Sequence, residues 1–255
     1  MKKFFVFDID GTLLDENKHL PASTKESIRK LKELGHEIAI ATGRNYTSAL
    51  PIIKELELDT YIVCNGGAGF IDHEKVYETL LPKEAVGELI QKASEHGASL
   101  VINTIDDHRR QFKEFSGAAK KVFQGFLHLQ PEWDEEFWKH NDVIQCNLFC
   151  DPQDIPKFEI DAFRLVSWHE YGMDVIHKDM SKAKTILQIA KDKGIDQEHV
   201  VFFGDGHNDI EALALAGLGI AMGNASQQVK EHANYITAHV NEDGIFKALK
   251  HFNLI

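Results

Sequence analysis

The sequence predicts an α/β protein, an open and mostly parallel sheet with helices between its strands, interrupted by a second α/β segment. Three observations predict it. Short apolar runs alternate with stretches of helical periodicity, most of the outer runs end abruptly in small polar residues, and a long middle stretch lacks those endings. Parallel strands buried on both faces read as near-continuous apolar runs, and ligands of such sheets bind at the carboxyl ends of the strands.

The first run, Phe4-Phe5-Val6-Phe7, stops in Asp8-Ile9-Asp10-Gly11-Thr12. Two carboxylates placed there repel each other unless a cation lies between them or one keeps a proton, which points to chemistry. A strand followed by an Asx-type turn accounts for the same letters without chemistry. Next, Ser23-Thr24-Lys25-Glu26 has capping-box spacing, Ile28, Leu31 and Leu34 follow at helical period, and Gly35 is a stop. A second strand, Ile38-Ala39-Ile40, ends in Thr42-Gly43-Arg44. The pattern from Tyr46 to Leu56 is helical despite Pro51. Tyr61 to Cys64 is a third strand with the turn Asn65-Gly66-Gly67, and Phe70-Ile71 pairs with Lys75-Val76-Tyr77 as a hairpin.

From about Pro82 the texture changes. A helix from Lys83 to His96 leads to a strand at Leu100-Val101-Ile102, a charged run Asp106-Asp107-His108-Arg109-Arg110, and strands from Val143 to Cys150 and around Phe163 to Trp168. The charged run reads as a solvated face in preference to a specificity loop that faces a site. Trp133, Trp138 and Trp168 all fall here, and the apolar residues around them read as a core of their own. Residues 82–179 are therefore an expected inserted domain, and residues 1–81 and 180–255 the domain that holds it. After the insert come a helix from Ser181 to Lys193-Gly194 and the strand Val200-Val201-Phe202-Phe203. That strand ends in Gly204-Asp205-Gly206-His207-Asn208-Asp209. A helix through Leu213, a strand Gly219 to Met222, the turn Gly223-Asn224 and two short helices complete the chain.

Composition sets limits on function. With 43% hydrophobic and 27% charged residues, no run long enough to cross a bilayer and no signal-peptide pattern at Met1-Lys2-Lys3, a cytoplasmic protein without a membrane partner is expected. The three cysteines, Cys64, Cys146 and Cys150, read as reduced packing residues. A formal charge of −12 argues against a nucleic-acid partner. A small phosphorylated ligand stays compatible, provided that a local cation and a metal offset the negative field.

Four stretches stand out together: Asp8 to Thr12, Thr42 to Arg44, Lys182, and Gly204 to Asp209. In order and spacing they resemble the four motifs of the haloacid dehalogenase-like phosphatases, specifically the Cof-type branch, whose cap occupies the place of the long insert. Gly217 to Ala225 is similar to that branch as well. The resemblance implies a Rossmann-like core with an inserted α/β cap, and a Mg²⁺-dependent phosphatase of small metabolites: sugar phosphates, pyridoxal phosphate or FMN. It implies that Asp8 is the nucleophile and Asp10 the acid and base, a double role best served by a raised carboxyl pKa. By the same resemblance Thr42, Gly43, Lys182 and Asn208 hold phosphate. Asp8, Asp205 and the Asp10 backbone carbonyl hold Mg²⁺, with Asp209 completing or orienting the shell. On its own, Lys182 reads as a surface lysine; only its place in the motif set makes it a phosphate ligand. Arg44 is left open between substrate contact and a salt bridge to the acidic core, and His207 reads as exposed loop. The resemblance assigns the choice of substrate to the cap. A phosphomutase or a non-catalytic sugar-phosphate sensor would share the fold.

Overall fold

A computed structural model describes residues 1–124 and 130–255. The chain forms two compact units, one of Met1–Arg44, Ser48–Tyr77 and Ser181–Ile255, the other of Asn45–Thr47 and Glu78–Met180. In chain order the first stretch contains β1 (Phe4–Phe7), α1 (Ala22–Glu33), β2 (Glu37–Ala41), α2 (Tyr46–Glu55), β3 (Thr60–Val63), β4 (Ala68–Ile71) and β5 (Glu74–Glu78). The second unit brings α3 (Lys83–Glu95), β6 (Ser99–Asn103), β7 (His108–Arg110), α4 (Gly117–Phe123), α5 (Phe137–His140), β8 (Gln145–Phe149), β9 (Phe163–His169) and β10 (Gly172–His177). The chain then returns to the first unit with α6 (Lys182–Asp192), β11 (Val200–Gly204), α7 (Ile210–Leu215), β12 (Leu218–Ala221), α8 (Gln227–Lys230), β13 (Tyr235–Ile236) and α9 (Gly244–His251).

The first unit is built on a sheet of order β13-β12-β11-β1-β2-β3-β4-β5, parallel from β13 through β3 and antiparallel at β3 and β4. This bears out the expected α/β class with a parallel core. Its central strand β1 is wholly buried, because one face meets α6 and the alternate residues are covered on the other. Phe4 and Val6 pack with Ala39, Ile62, Phe202 and the apolar stripe Ala183, Ile186, Ile189 of α6, while Phe7 stacks on Phe203 with ring centroids 5.0 Å apart. The sheet order reverses around β1: β2 and β11 lie on its two sides. Such a switch point opens a crevice at the carboxyl ends, and there the chain delivers Asp8, Thr42 and Asp205.

The second unit is an antiparallel sheet of order β7-β6-β8-β10-β9. α3 covers one face through Val86, Leu89 and Ala93 against Leu100, Ile102, Cys146, Leu148 and Val175. All three cysteines are free and buried, as packing residues should be. Among the described residues no helix is long and apolar enough to cross a membrane.

Local expectations differ from the structure in four places. Ser23 does not cap α1: the helix already begins at Ala22 after Pro21, whose fixed φ suits helix entry, and the Ser23 hydroxyl instead donates to Asp243 at 2.5 Å. His108–Arg110 of the charged run become β7, an edge strand on β6, with Arg109 over the Phe137 ring and Arg110 over Phe115. The guanidinium groups themselves lie over the aromatic faces, an arrangement that a run of charges along the chain does not reveal. β10 escapes the sequence pattern because a buried Asp174 interrupts its apolar alternation. Trp138 packs onto the unit's core and the half-exposed Trp168 meets buried Phe149 edge-on, its ring also lying where a side chain at Gly172 would collide, while Trp133 is exposed.

Candidate active site

After β1 the backbone curls tightly: the Asp8 N–H donates to Phe203 at 2.9 Å, and the Ile9 carbonyl accepts from Leu13 and Leu14 at 3.0 and 2.9 Å. Gly11 has φ +81°, and a Cβ there would stand 2.2 Å from a carboxylate oxygen of Asp205. Glycine is needed for both reasons. The curl buries Thr12, whose hydroxyl donates to Asp205 Oδ1 at 2.9 Å. Between β11 and α7, both oxygens of Asp209 are engaged: Oδ2 accepts from the N–H groups of Asp205 and Gly206 at 3.0 and 2.9 Å, and Oδ1 faces Lys182.

Lys182 opens α6, with Ser181 as the N-cap accepting from the Lys184 N–H. Its ammonium lies 2.6 Å from Asp8 Oδ1 and 2.7 Å from Asp209 Oδ1, and the residue is 1% exposed. Burial disfavours its charge, yet the Asp209 and Asp8 carboxylates outweigh that and raise its pKa. Asp8, Asp205 and Asp209 each place a carboxylate oxygen within 4.8 Å of the others. Burial, only partly offset by Lys182, pushes the Asp8 carboxyl well up; burial and the neighbouring Asp209 push Asp205 up to about 7. This crowd of hard oxygen donors has one ammonium among three carboxylates, the chemistry of a site that takes a divalent cation. Asp205 keeps its orientation through Thr12 and through Asn224 Nδ2, 3.1 Å from Oδ2; Asn224 also donates to the Gly11 carbonyl and accepts from the Val240 N–H.

Asp10 lies outside this carboxylate cluster. Arg44 grips it in a fork, Nε to Oδ2 and Nη2 to Oδ1, both 2.7 Å, and Lys18 Nζ adds a third contact to Oδ1 at 2.7 Å. Burial works against the charged form, but the two cations prevail and hold this carboxyl at about 2, the reverse of the raised value anticipated for it. Thr42 is buried just past β2, its hydroxyl accepting from the Arg44 N–H at 3.1 Å and so keeping its own proton to donate. Gly43 lies between them. Asn208 donates to Asn65 Oδ1 at 2.7 Å, and His207 is exposed.

A family model of haloacid dehalogenase-like hydrolases matches residues 5–249. The chain belongs to that family. This hydrolase is 31% identical to the 5-amino-6-(5-phospho-D-ribitylamino)uracil phosphatase YitU of Bacillus subtilis, over 96% of the chain and 95% of the relative. It is 29% identical to the pyridoxal phosphate phosphatase YbhA of Escherichia coli, over 95% and 96%. Among solved structures, the subclass IIB sugar phosphatase BT4131 superposes with a TM-score of 0.89 at 33% identity, covering all of both chains. The hydrolase is thus an enzyme of the phosphatase kind within its family.

The sequence reading missed several contacts of this hydrolase. Local sequence gives Thr12 no role within its motif and marks Asn224 only as a turn residue. Asn65 likewise reads only as a turn residue, and Lys18 carries no signal. Their contacts join Thr12 to Asp205, Asn224 to Gly11 and Asn65 to Asn208, at separations of 193, 213 and 143 residues, which no local spacing rule reaches. Lys18 sits eight residues from Asp10 in a loop, where no periodicity applies.

Proposed function

We propose that this hydrolase is a Mg²⁺-dependent phosphatase of small phosphorylated metabolites, acting in the cytoplasm through a phosphoryl group carried on Asp8. The observation that carries the reading is the buried Asp8 carboxylate, fixed by Lys182 beside Asp205 and Asp209. Mg²⁺ would be held by Asp8, Asp205 and the Asp10 carbonyl, with Asp209 orienting the set, and when bound it would neutralise charge on the phosphoryl oxygens.

The protein's own groups then do the following. Lys182 holds one Asp8 oxygen, leaving the other to attack phosphorus in line with the leaving oxygen. The Thr42 hydroxyl, the Gly43 N–H and Lys182 receive the phosphoryl oxygens, and Asn208 orients that end of the site. The P–O bond to the leaving group breaks as the bond to Asp8 forms, and Asp10 serves the leaving oxygen as acid. A water then attacks the phosphorus on Asp8, giving its proton to the Asp10 carboxylate. At rest Arg44 and Lys18 hold Asp10 ionised, so the proton it passes to the leaving oxygen is one that a phosphate monoester monoanion brings into the site, and the proton it takes from water leaves with the product phosphate.

Relatives named for a ribitylamino-uracil phosphate, pyridoxal phosphate and sugar phosphates support a polar alkyl phosphate monoester as substrate. Residues 82–179 are assigned to selecting the rest of that molecule. The test is phosphate release from a panel of such esters with and without Mg²⁺, comparing the native chain with Asp8→Asn. Turnover that needs Mg²⁺ and vanishes in Asp8→Asn is expected. Tight binding of one ester without turnover would overturn the reading in favour of a sensor.

A further inference from the structure

We infer that Lys18 is a positioning residue: by occupying Asp10 Oδ1 together with Arg44, it reserves Oδ2 as the oxygen that accepts the proton of the attacking water. The inference rests on the reading of Asp10 as that base. A carboxylate oxygen offers two lone-pair sites. Oδ1 receives two donors, Lys18 Nζ and Arg44 Nη2, each at 2.7 Å, whereas Oδ2 receives Arg44 Nε alone and has no further partner among the described residues. Without Lys18 the Arg44 fork would leave the two oxygens equivalent, each with one open site. With it, only Oδ2 can take a proton.

The loop that carries Lys18 is built to hold it. Lys18 has φ +62°, a conformation uncommon for a residue with a side chain. The Asp15 side chain accepts from the N–H groups of Asn17 and His19, both at 2.8 Å, and the Asp15 backbone bonds His19 and Lys18 at 2.9 and 3.0 Å. The stem is anchored by buried Leu13 and Leu14. These bonds turn the Lys18 side chain back onto a residue eight positions earlier. With 55% of that side chain exposed, its contact to Asp10 contributes little to folding, so its placement is better explained by the site it reaches.

The step it would serve is the second half of turnover. Water oxygen bonds to the phosphorus on Asp8, the Asp8–phosphorus bond breaks with its electron pair returning to the carboxylate, and the water proton passes to Asp10 Oδ2. The first half differs when the leaving group is a good one. A nitrophenolate leaves without needing a proton, so kcat/KM for 4-nitrophenyl phosphate does not depend on how Asp10 is oriented.

The experiment compares the native protein, Lys18→Ala and Lys18→Arg with 4-nitrophenyl phosphate and Mg²⁺. Lys18→Ala should lower kcat about ten- to a hundredfold, the scale of a misplaced catalytic group, with kcat/KM within about twofold of native. A burst of one nitrophenolate per site should appear as the phosphorylated enzyme accumulates. Lys18→Arg should recover most of kcat. A parallel fall in kcat and kcat/KM, or no change in either, overturns the inference. A second readout does not depend on turnover: in crystals of Lys18→Ala the Asp10 carboxylate should turn away from its present orientation, and an unmoved carboxylate overturns the inference too. Failure of the native protein to hydrolyse any ester would sink the phosphatase reading instead, leaving the crystal comparison to decide the role of Lys18.

Discussion

Asp8 and Asp10 leave the same strand two residues apart, yet they enter opposite electrostatic regions. On the floor of the site, three carboxylates, Asp8, Asp205 and Asp209, share the single ammonium of Lys182. At the rim, the single carboxylate of Asp10 holds two cations, Arg44 and Lys18. The floor therefore carries a formal −2 and the rim +1 when all are ionised. Burial with too little positive charge pushes Asp8 up, whereas two cations hold Asp10 at about 2. A floor short of positive charge suits a dication, whereas the rim carries a surplus of positive charge beside an ionised carboxylate.

The largest effect should come from removing Lys182, the floor's one cation among the described residues. Lys182→Met leaves Asp8 and Asp209 buried without their shared partner, and urea denaturation at neutral pH should show a loss of about 3–5 kcal/mol. Phosphate release should fall to background. A variant as stable as the native protein would mean that the floor is not short of positive charge. Asn224→Ala frees Asp205 at one oxygen and should raise the Mg²⁺ concentration for half-maximal activity about ten- to a hundredfold, as loss of an orienting partner does. An unchanged Mg²⁺ requirement would count against the proposed metal-holding role of Asp205.

At the rim, Arg44→Lys keeps the charge but loses the fork, and kcat should drop about tenfold with the fold intact by circular dichroism. The smallest effects lie in the pH dependence of stability, where the two regions should have opposite signs. Asp10, with a folded value of about 2, contributes stability that is present above its unfolded value of about 4 and is lost as pH falls toward 2. Asp205, with a folded value of about 7, does the reverse: in metal-free protein its contribution is full below about pH 4 and is lost as pH rises through 7. Thermal melts of Asp10→Asn and Asp205→Asn against native protein across pH 2–8 would read both slopes. Two slopes of one sign would erase the distinction between floor and rim.

Much of this was legible beforehand. The carboxyl-end placement of Asp8, Thr42 and Asp205 follows from apolar runs that stop in polar residues, because a strand buried on both faces can show polar side chains only where it leaves the sheet. The hairpin of β4 and β5 was legible for a related reason: Asp72 and His73 both take positive φ at its turn, a conformation that aspartate tolerates better than most residues. The Ser23 capping box failed because the same letters are compatible with several helix starts, and Pro21 decided among them. Arg44 could be read only as a choice between two partners, since an arginine after a strand reaches in several directions and its side-chain path depends on what surrounds it.

By itself the sequence determined the alternation of strands and helices and the residue types at each strand end, because periodicity and abrupt changes of polarity are local properties. Tertiary structure alone decided which charges meet. Lys182 is buried between Asp8 and Asp209, 174 and 27 residues away, and Asn224 binds the Gly11 carbonyl from the far side of the chain. Charge balance inside a low-dielectric site depends on distances of a few ångströms, and those distances are set by how β1, β11 and α6 pack rather than by any spacing along the chain.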